Sequence, residues 1–191
     1  MAMRGLCQSG KPEIICDKII EIDTVEYKIK FIRSDFMDPS DRFRKIAGRL
    51  IIPTTKCTYT FVDNLHRMDN LPLYKVIGEE TKRNWIWIQE QDFNTARYFL
   101  INSKTSQIDT LIGPPKIFGG KIVCLEEGYT DSPRWVEIYQ IHDQKIALLK
   151  KFKLNPCDKI CCVNSIFLNG DAVFLSNDWF KQWRAWKIKI F

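Results

Sequence analysis

The sequence predicts an all-β fold, and three observations lead to that expectation. Apolar and polar residues alternate with a period of two in many short runs, as in strands with one buried face. β-branched and aromatic residues are abundant, and 13% of the 191 residues are Phe, Trp or Tyr. Turn dipeptides, of which Gly119-Gly120 and Asn169-Gly170 are the clearest, separate the runs and suit tight hairpins. Together these features predict a series of antiparallel hairpins.

The first elements along the chain are expected to be one strand and one short helix. The segment 19–31 alternates apolar with charged residues, which predicts a strand whose apolar face carries Val25, Tyr27, Ile29 and Phe31. Residues 38–48 are expected to form a helix of one to two turns. Ser40 or Asp41 would be its N-cap, and Gly48 would end it.

Three later stretches share one layout, in which a strand is followed by a polar loop and a second strand. They begin at Trp85, Ile122 and Val173, and a shorter copy begins at Leu50, so successive starts lie 35, 37 and 51 residues apart. Repeats of this kind bury their apolar faces by stacking on one another. We therefore expect one all-β domain over 1–191, with a loose N-terminal segment over 1–15 and a repeat region over 48–191.

The rhythm of these strands resembles that of bacterial TolB-type and WD-repeat β-propellers. A blade of four short strands typically recurs every ~40–50 residues. The resemblance implies a small propeller-like ring of about four to five blades. It implies no activity, because the Trp-Asp pair of WD repeats does not occur in the sequence. The same alternation also fits a large antiparallel β-sandwich or barrel, which is the alternative fold.

If the three copies are equivalent, their loops emerge at one end of the ring. Each loop places an acid near an aromatic ring, and a turn does not need aromatic side chains, so these rings are candidates for contacting a partner. The competing interpretation is that the rings pack back on the protein and the acids only make turns. The predicted binding residues are Asp92, Phe93, Tyr129, Asp131, Asp178, Trp179, Phe180 and Trp183.

These features predict a non-enzymatic binding domain whose partner is another protein or a glycan. The sequence contains no GxSxG, HExxH or P-loop motif, so no catalytic residue is assigned. One alternative is a carbohydrate-binding or glycoside-processing propeller, in which loop carboxylates would act. The other is nucleic-acid binding through 145–191, which hold 9 basic and 3 acidic residues while the rest of the chain is neutral. Alternation of these lysines with apolar residues favours an ordinary strand face instead.

The cysteine pattern predicts neither a disulfide framework nor a metal site. The seven cysteines have no regular spacing, and Cys157, Cys161 and Cys162 lack the paired CxxC spacing that zinc sites use. We expect no cofactor, and whether these three thiols are paired stays open. No apolar run approaches the ~18 residues of a membrane span. No signal peptide is visible near Arg4.

Overall fold

A computed structural model describes residues 13–14, 19–31, 40, 42–64, 72–93, 95–126, 134–154, 163, 165–179 and 182–190 of the chain. These residues contain fifteen strands and one short helix, so the all-β prediction is confirmed. No sheet in the described part of the chain closes on itself. The domain boundaries expected from the sequence stay a prediction.

The strands form four sheets, numbered here in chain order. The first sheet contains β3 (Arg49–Pro53) and β4 (Thr58–Val62). The second contains β5 (Leu73–Glu80), β6 (Trp85–Gln91), β7 (Ala96–Asn102) and β8 (Ile108–Leu111). The third contains β9 (Pro115–Phe118), β10 (Lys121–Leu125), β11 (Trp135–His142), β12 (Lys145–Lys153) and the edge strand β1 (Glu13–Ile14). The fourth contains β13 (Ser165–Asn169), β14 (Ala172–Trp179), β15 (Gln182–Lys189) and β2 (Ile19–Ile22).

The last three sheets share one topology. In the second and third sheets, four consecutive strands pair in chain order, and every pair among them is antiparallel. The fourth sheet has the same order, except that β2 from the N-terminal part occupies the fourth position and pairs antiparallel with β15. The edge strand β1 differs, because it pairs parallel with β12.

The sheets pack against each other in chain order. Alternate side chains of a strand point to opposite faces, so one sheet can contact a neighbouring sheet on each side. In β6, Trp85 and Trp87 share a core cluster with the third sheet, whereas Ile86 and Ile88 share one with the first sheet. All four are at most 1% exposed, so this run is buried on both of its faces. The other face of the third sheet joins the fourth sheet in the largest cluster.

Tight turns between strands follow the glycine signals. Gly119 and Gly120 connect β9 to β10 with φ of 51° and 79°, as a type I′ turn requires. Between β13 and β14 the turn residues are Gly170 and Asp171, and of the two only Gly170 has a positive φ. The hairpin predicted at Asn169-Gly170 therefore forms with its turn one residue later than expected.

The strand predicted through Val25, Tyr27, Ile29 and Phe31 is wrong beyond Ile22. Residues Thr24–Lys30 form the helix α1, because the Asp23 carboxylate caps it by accepting the Glu26 N–H at 2.8 Å. Only Tyr27 of this helix is buried, and its ring packs edge-to-face on Phe167 with centroids 5.1 Å apart. The first part of the predicted strand does form, as β2.

The helix predicted over 38–48 is also wrong where the structure describes it. Ile46 and Arg49 bond to each other through both backbone groups at 3.0 Å, closing a two-residue turn. Ala47 and Gly48 in that turn have φ of 50° and 72°. The glycine interpreted as a helix stop is therefore half of a tight turn that leads into β3.

Two predicted loop positions need correction. The stretch 176–184, expected to be a polar loop, is mostly strand, since β14 runs to Trp179 and β15 begins at Gln182. The shorter copy is not equivalent to the later ones. The turn between β3 and β4 bonds to the turn that follows β7, through Thr55 N and Ser103 O at 2.9 Å. The turn that follows β7 lies at the opposite end of the second sheet from the β6–β7 loop, so the turn between β3 and β4 lies at that opposite end too.

Candidate functional site

The predicted binding residues fall into three groups. Asp92 and Phe93 lie in the loop between β6 and β7, as expected. Asp178, Trp179 and Trp183 lie in strands β14 and β15 rather than in a loop. Tyr129, Asp131 and Phe180 lie outside the described residues. Whether any of them contacts a partner stays a prediction.

The β6–β7 loop holds a large aromatic side chain out in water. Asp92 N donates to Thr95 O at 2.8 Å, which closes the loop, and Phe93 N donates to Asp92 Oδ1 at 2.8 Å. Gln91 Nε2 donates to Asp92 O at 2.9 Å. Phe93 is nevertheless 72% exposed, so this ring does not fold back on the protein. A short loop fixed by its own hydrogen bonds presents an apolar ring to solvent.

Trp183 has a different environment. It is half-buried, packs against the main core cluster, and its ring lies edge-to-face on Tyr27 with centroids 5.1 Å apart. The Tyr27 hydroxyl in turn bonds to Ser176 Oγ at 3.0 Å. These contacts attach α1 to the fourth sheet, which gives Trp183 a packing role.

A cleft of about 330 Å³ lies beside the β6–β7 loop, between the second and third sheets. Its lining includes Thr95 from that loop and Glu126, which follows β10 and begins the β10–β11 connection. Two of the three predicted loop ends therefore meet at the same end of the sheets. The position of the β14–β15 end relative to them stays a prediction.

Two glutamates that the sequence analysis missed form the polar side of this cleft. Glu137, in β11, is only 5% exposed; its Oε2 accepts the Tyr139 hydroxyl at 2.5 Å and its Oε1 accepts Lys151 Nζ at 2.7 Å. Glu126 is half-buried and accepts the Trp135 N–H through Oε2 at 3.1 Å. An acid inside the apolar run 135–142 was the one sequence signal that pointed to Glu137.

Burial, and in two cases the neighbouring Glu137, raises the pKa values of three groups between the second and third sheets. Burial raises the pKa of Tyr139, and the neighbouring Glu137 raises it further, because a phenolate there would be desolvated and repelled. Burial also raises the pKa of Asp109, although its bonds from Gln107 oppose the shift. The pKa of the Cys124 thiol is raised well above its usual range, first by burial and then by Glu137.

Gly113 fixes the distance between the two walls of the cleft. It lies just after β8, and a Cβ placed on it would be 1.8 Å from the Leu125 carbonyl oxygen at the end of β10. Only a residue without a side chain allows this approach. The contact joins the β8 side of the cleft to the strand that precedes Glu126.

The basic residues near the C-terminus are engaged with neighbouring groups in several places. Lys150 Nζ donates to Ile190 O at 2.8 Å, and Lys187 pairs with Glu26 at 3.5 Å. Lys151 and Lys153 lie over the Trp135 ring, 5.0 and 4.8 Å from its centroid. These contacts favour ordinary packing of the strands over a basic surface that binds a phosphate backbone.

Within the described residues, no group of three or more His, Cys, Asp or Glu side chains is arranged to hold a metal ion. Cys157, Cys161 and Cys162 lie outside them. Two described cysteines are free thiols, Cys57 at the surface and Cys124 in the core. The one helix that the structure describes falls well short of the length that a bilayer crossing needs.

Comparison with known proteins finds no similar protein. The sequence matches no protein-family model, and no curated protein and no solved structure is similar to it.

Proposed function

We propose that this chain is a propeller-like, non-enzymatic binding domain, and that a protein partner docks at the end where the β6–β7 and β10–β11 hairpins meet. Three features support the propeller-like arrangement. Three sheets share one strand order, successive sheets pack face to face, and an N-terminal strand completes the last sheet.

One observation carries the binding proposal, namely the exposure of Phe93. A ring that is 72% exposed contributes little to folding, and its loop is held by short backbone bonds beside a cleft. Rigid aromatic side chains next to concave surfaces are typical anchors of protein interfaces, because little entropy is lost when they become ordered. The Asp92 carboxylate accepts the Phe93 N–H and so holds the turn, as the competing interpretation expected; its contact with a partner stays a prediction.

Affinity capture from the native source tests this proposal. The wild-type chain is compared with Phe93→Ala and with Ile29→Ala, a matched control because Ile29 is also 72% exposed but lies on α1. We expect one set of proteins to be retained by wild type and Ile29→Ala and lost with Phe93→Ala. Identical sets from all three would contradict the proposal.

Two controls separate the alternative functions. A glycan array on which wild type binds and Phe93→Ala does not would favour the carbohydrate alternative. Capture of nucleic acid that falls steeply with added salt, independent of Phe93, would favour the basic C-terminal region.

A further inference from the structure

On the side of the second sheet, the cleft beside the β6–β7 loop has an apolar wall together with the polar residues Thr95, Thr110 and Arg97. Ala96 and Leu111, which are 9% and 1% exposed, contribute to the apolar wall together with Ile112. Glu126 and Glu137 lie on the side of the third sheet. At about 330 Å³ the cleft is at the lower end of the ~300–1,000 Å³ range of ligand pockets, which suits a single extended side chain.

Of the two glutamates that line the cleft, only Glu137 is paired with a cation among the described residues. Lys151 pairs with Glu137, so the positive and negative charges there balance. Arg97 also lines the cleft, but its Nε lies 3.8 Å from Glu90 Oε1. Arg97 and Glu90 are cross-strand partners and share the side of the second sheet whose core residues pack against the first sheet. Among the described residues no Lys or Arg pairs with Glu126.

A basic side chain matches this arrangement. Lysine and arginine have apolar stems that pack along aliphatic walls and charged ends that need carboxylates. Arginine fits best, because its planar guanidinium donates several hydrogen bonds in fixed directions and one group can reach two glutamates.

We propose that this cleft receives an arginine side chain of the partner protein, with lysine as a weaker substitute. The proposal rests on the proposed function, since it names the chemistry with which a partner docked at Phe93 enters the protein. Phe93 would contact an apolar residue of the partner, while Glu126 and Glu137 hold the guanidinium.

The test uses two small probes, N-acetyl-arginine N-methylamide and its citrulline analogue. Citrulline has nearly the shape of arginine without the charge. Binding is followed on the methyl NMR signals of Leu111 and Ile112 in the full chain. We expect the arginine probe to shift these signals and the citrulline probe to bind about tenfold more weakly or not at all.

Matched variants connect the effect to Glu126. Glu126→Gln keeps an oxygen that can accept the Trp135 N–H, so the fold should be retained, and affinity for the arginine probe should fall about tenfold. Glu21→Gln removes the charge of an exposed glutamate in β2 and should leave binding unchanged. Absence of shifts, equal shifts by both probes, or equal affinity in Glu126→Gln would overturn the proposal.

The same variants distinguish failure of this inference from failure of the proposed function. If captured proteins depend on Phe93 but not on Glu126, and the arginine probe does not bind, docking at Phe93 stands and the arginine site is wrong. If the arginine probe binds through Glu126 but no captured protein depends on Phe93, the proposed docking is wrong and the cleft retains its cation selectivity.

Discussion

The two faces of the third sheet differ in chemistry although the same strands build both. Toward the fourth sheet, alternate residues of these strands form an apolar layer that includes Val123, Ile138 and Phe152, all 0% exposed. Toward the second sheet, the intervening residues of β10 and β11 include Cys124, Glu137 and Tyr139. The face toward the fourth sheet is therefore mainly apolar, although Lys116 and Lys150 donate from it to the carbonyl oxygens of Ile166 and Ile190. The face toward the second sheet includes a buried carboxylate, Glu137.

The two faces of the third sheet therefore contribute differently to the stability of the protein. An apolar face stabilises the stack through burial alone, at roughly 25 cal/mol per Å². Buried charges add little net stability and are costly when a partner is lost. We propose that the acidic groups between the second and third sheets serve recognition more than folding. The variants below change either the interface between the second and third sheets or that between the third and fourth sheets. For each variant, the quantity to be measured is the free energy of unfolding.

The largest effect is expected for Gly113→Ala, at the seam between the second and third sheets. The new Cβ would lie 1.8 Å from the Leu125 carbonyl oxygen, so the backbone itself must move. We expect a loss of about 5 kcal/mol, at the exceptional end for single substitutions. Urea denaturation measures it. In Gly170→Ala only the positive φ is strained, and a loss of about 1–2 kcal/mol is expected. Equal losses in the two variants would show that the sheets do not approach so closely.

The second effect tests the apolar face. Phe152→Ala empties a fully buried position between the third and fourth sheets and should cost about 3–4 kcal/mol. Leu149→Ala in the same strand is the control, because Leu149 is 44% exposed and its loss should cost less than about 1 kcal/mol. Similar denaturation midpoints for the two variants would contradict the layer order described here.

A smaller effect is expected on the acidic face, from Glu137→Gln. The substitution keeps an acceptor for Tyr139 but leaves Lys151 without its anion, and Lys151 is 41% exposed and regains water. We expect a loss of about 1–2 kcal/mol, well below that of Phe152→Ala. A double-mutant cycle with Lys151→Met should give a coupling of about 1 kcal/mol. A loss as large as that of Phe152→Ala would mean that this face also serves mainly stability.

The smallest effect concerns pH. Burial raises the pKa of Asp109, so the folded protein holds this proton more tightly than the unfolded chain. Stability should then fall as pH rises from about 4, the ordinary value for aspartate, through the higher folded pKa. Asp109→Asn removes this decline and should be slightly more stable than wild type near pH 7, by less than about 1 kcal/mol.

Denaturation of both proteins at about pH 4 and about pH 7 measures the difference. Asp171→Asn, which removes one carboxylate at an exposed turn position, is the matched control. A wild type that gains stability relative to Asp109→Asn as pH rises would contradict the assigned direction.

Local patterns predicted the hairpins well and the N-terminal part of the chain poorly. Period-two alternation and turn glycines were sufficient for β6, β7 and the turn at Gly119-Gly120. The same alternation failed over α1, where the capping pair Asp23 and Glu26 was the competing signal. The prediction of a helix over 42–48 was wrong because a glycine that can end a helix also suits a type I′ turn.

The candidate site was predicted in part. Phe93 and Asp92 were found because an aromatic residue in a polar loop is unusual. Glu126 and Glu137 were not, since their proximity depends on how the second and third sheets pack and on the approach at Gly113. A pattern within one strand shows which residues share a face but not which other face they meet.

Contact between a partner protein and Phe93 is the central proposal for this molecule, and cross-linking tests it directly. A photo-reactive phenylalanine analogue placed at 93, and for comparison at 29, reports contact at each position in the native source. We expect a discrete cross-linked protein from position 93, absent from position 29 and diminished by Glu126→Gln. Cross-linking of the same proteins from both positions, or from position 29 alone, would contradict it.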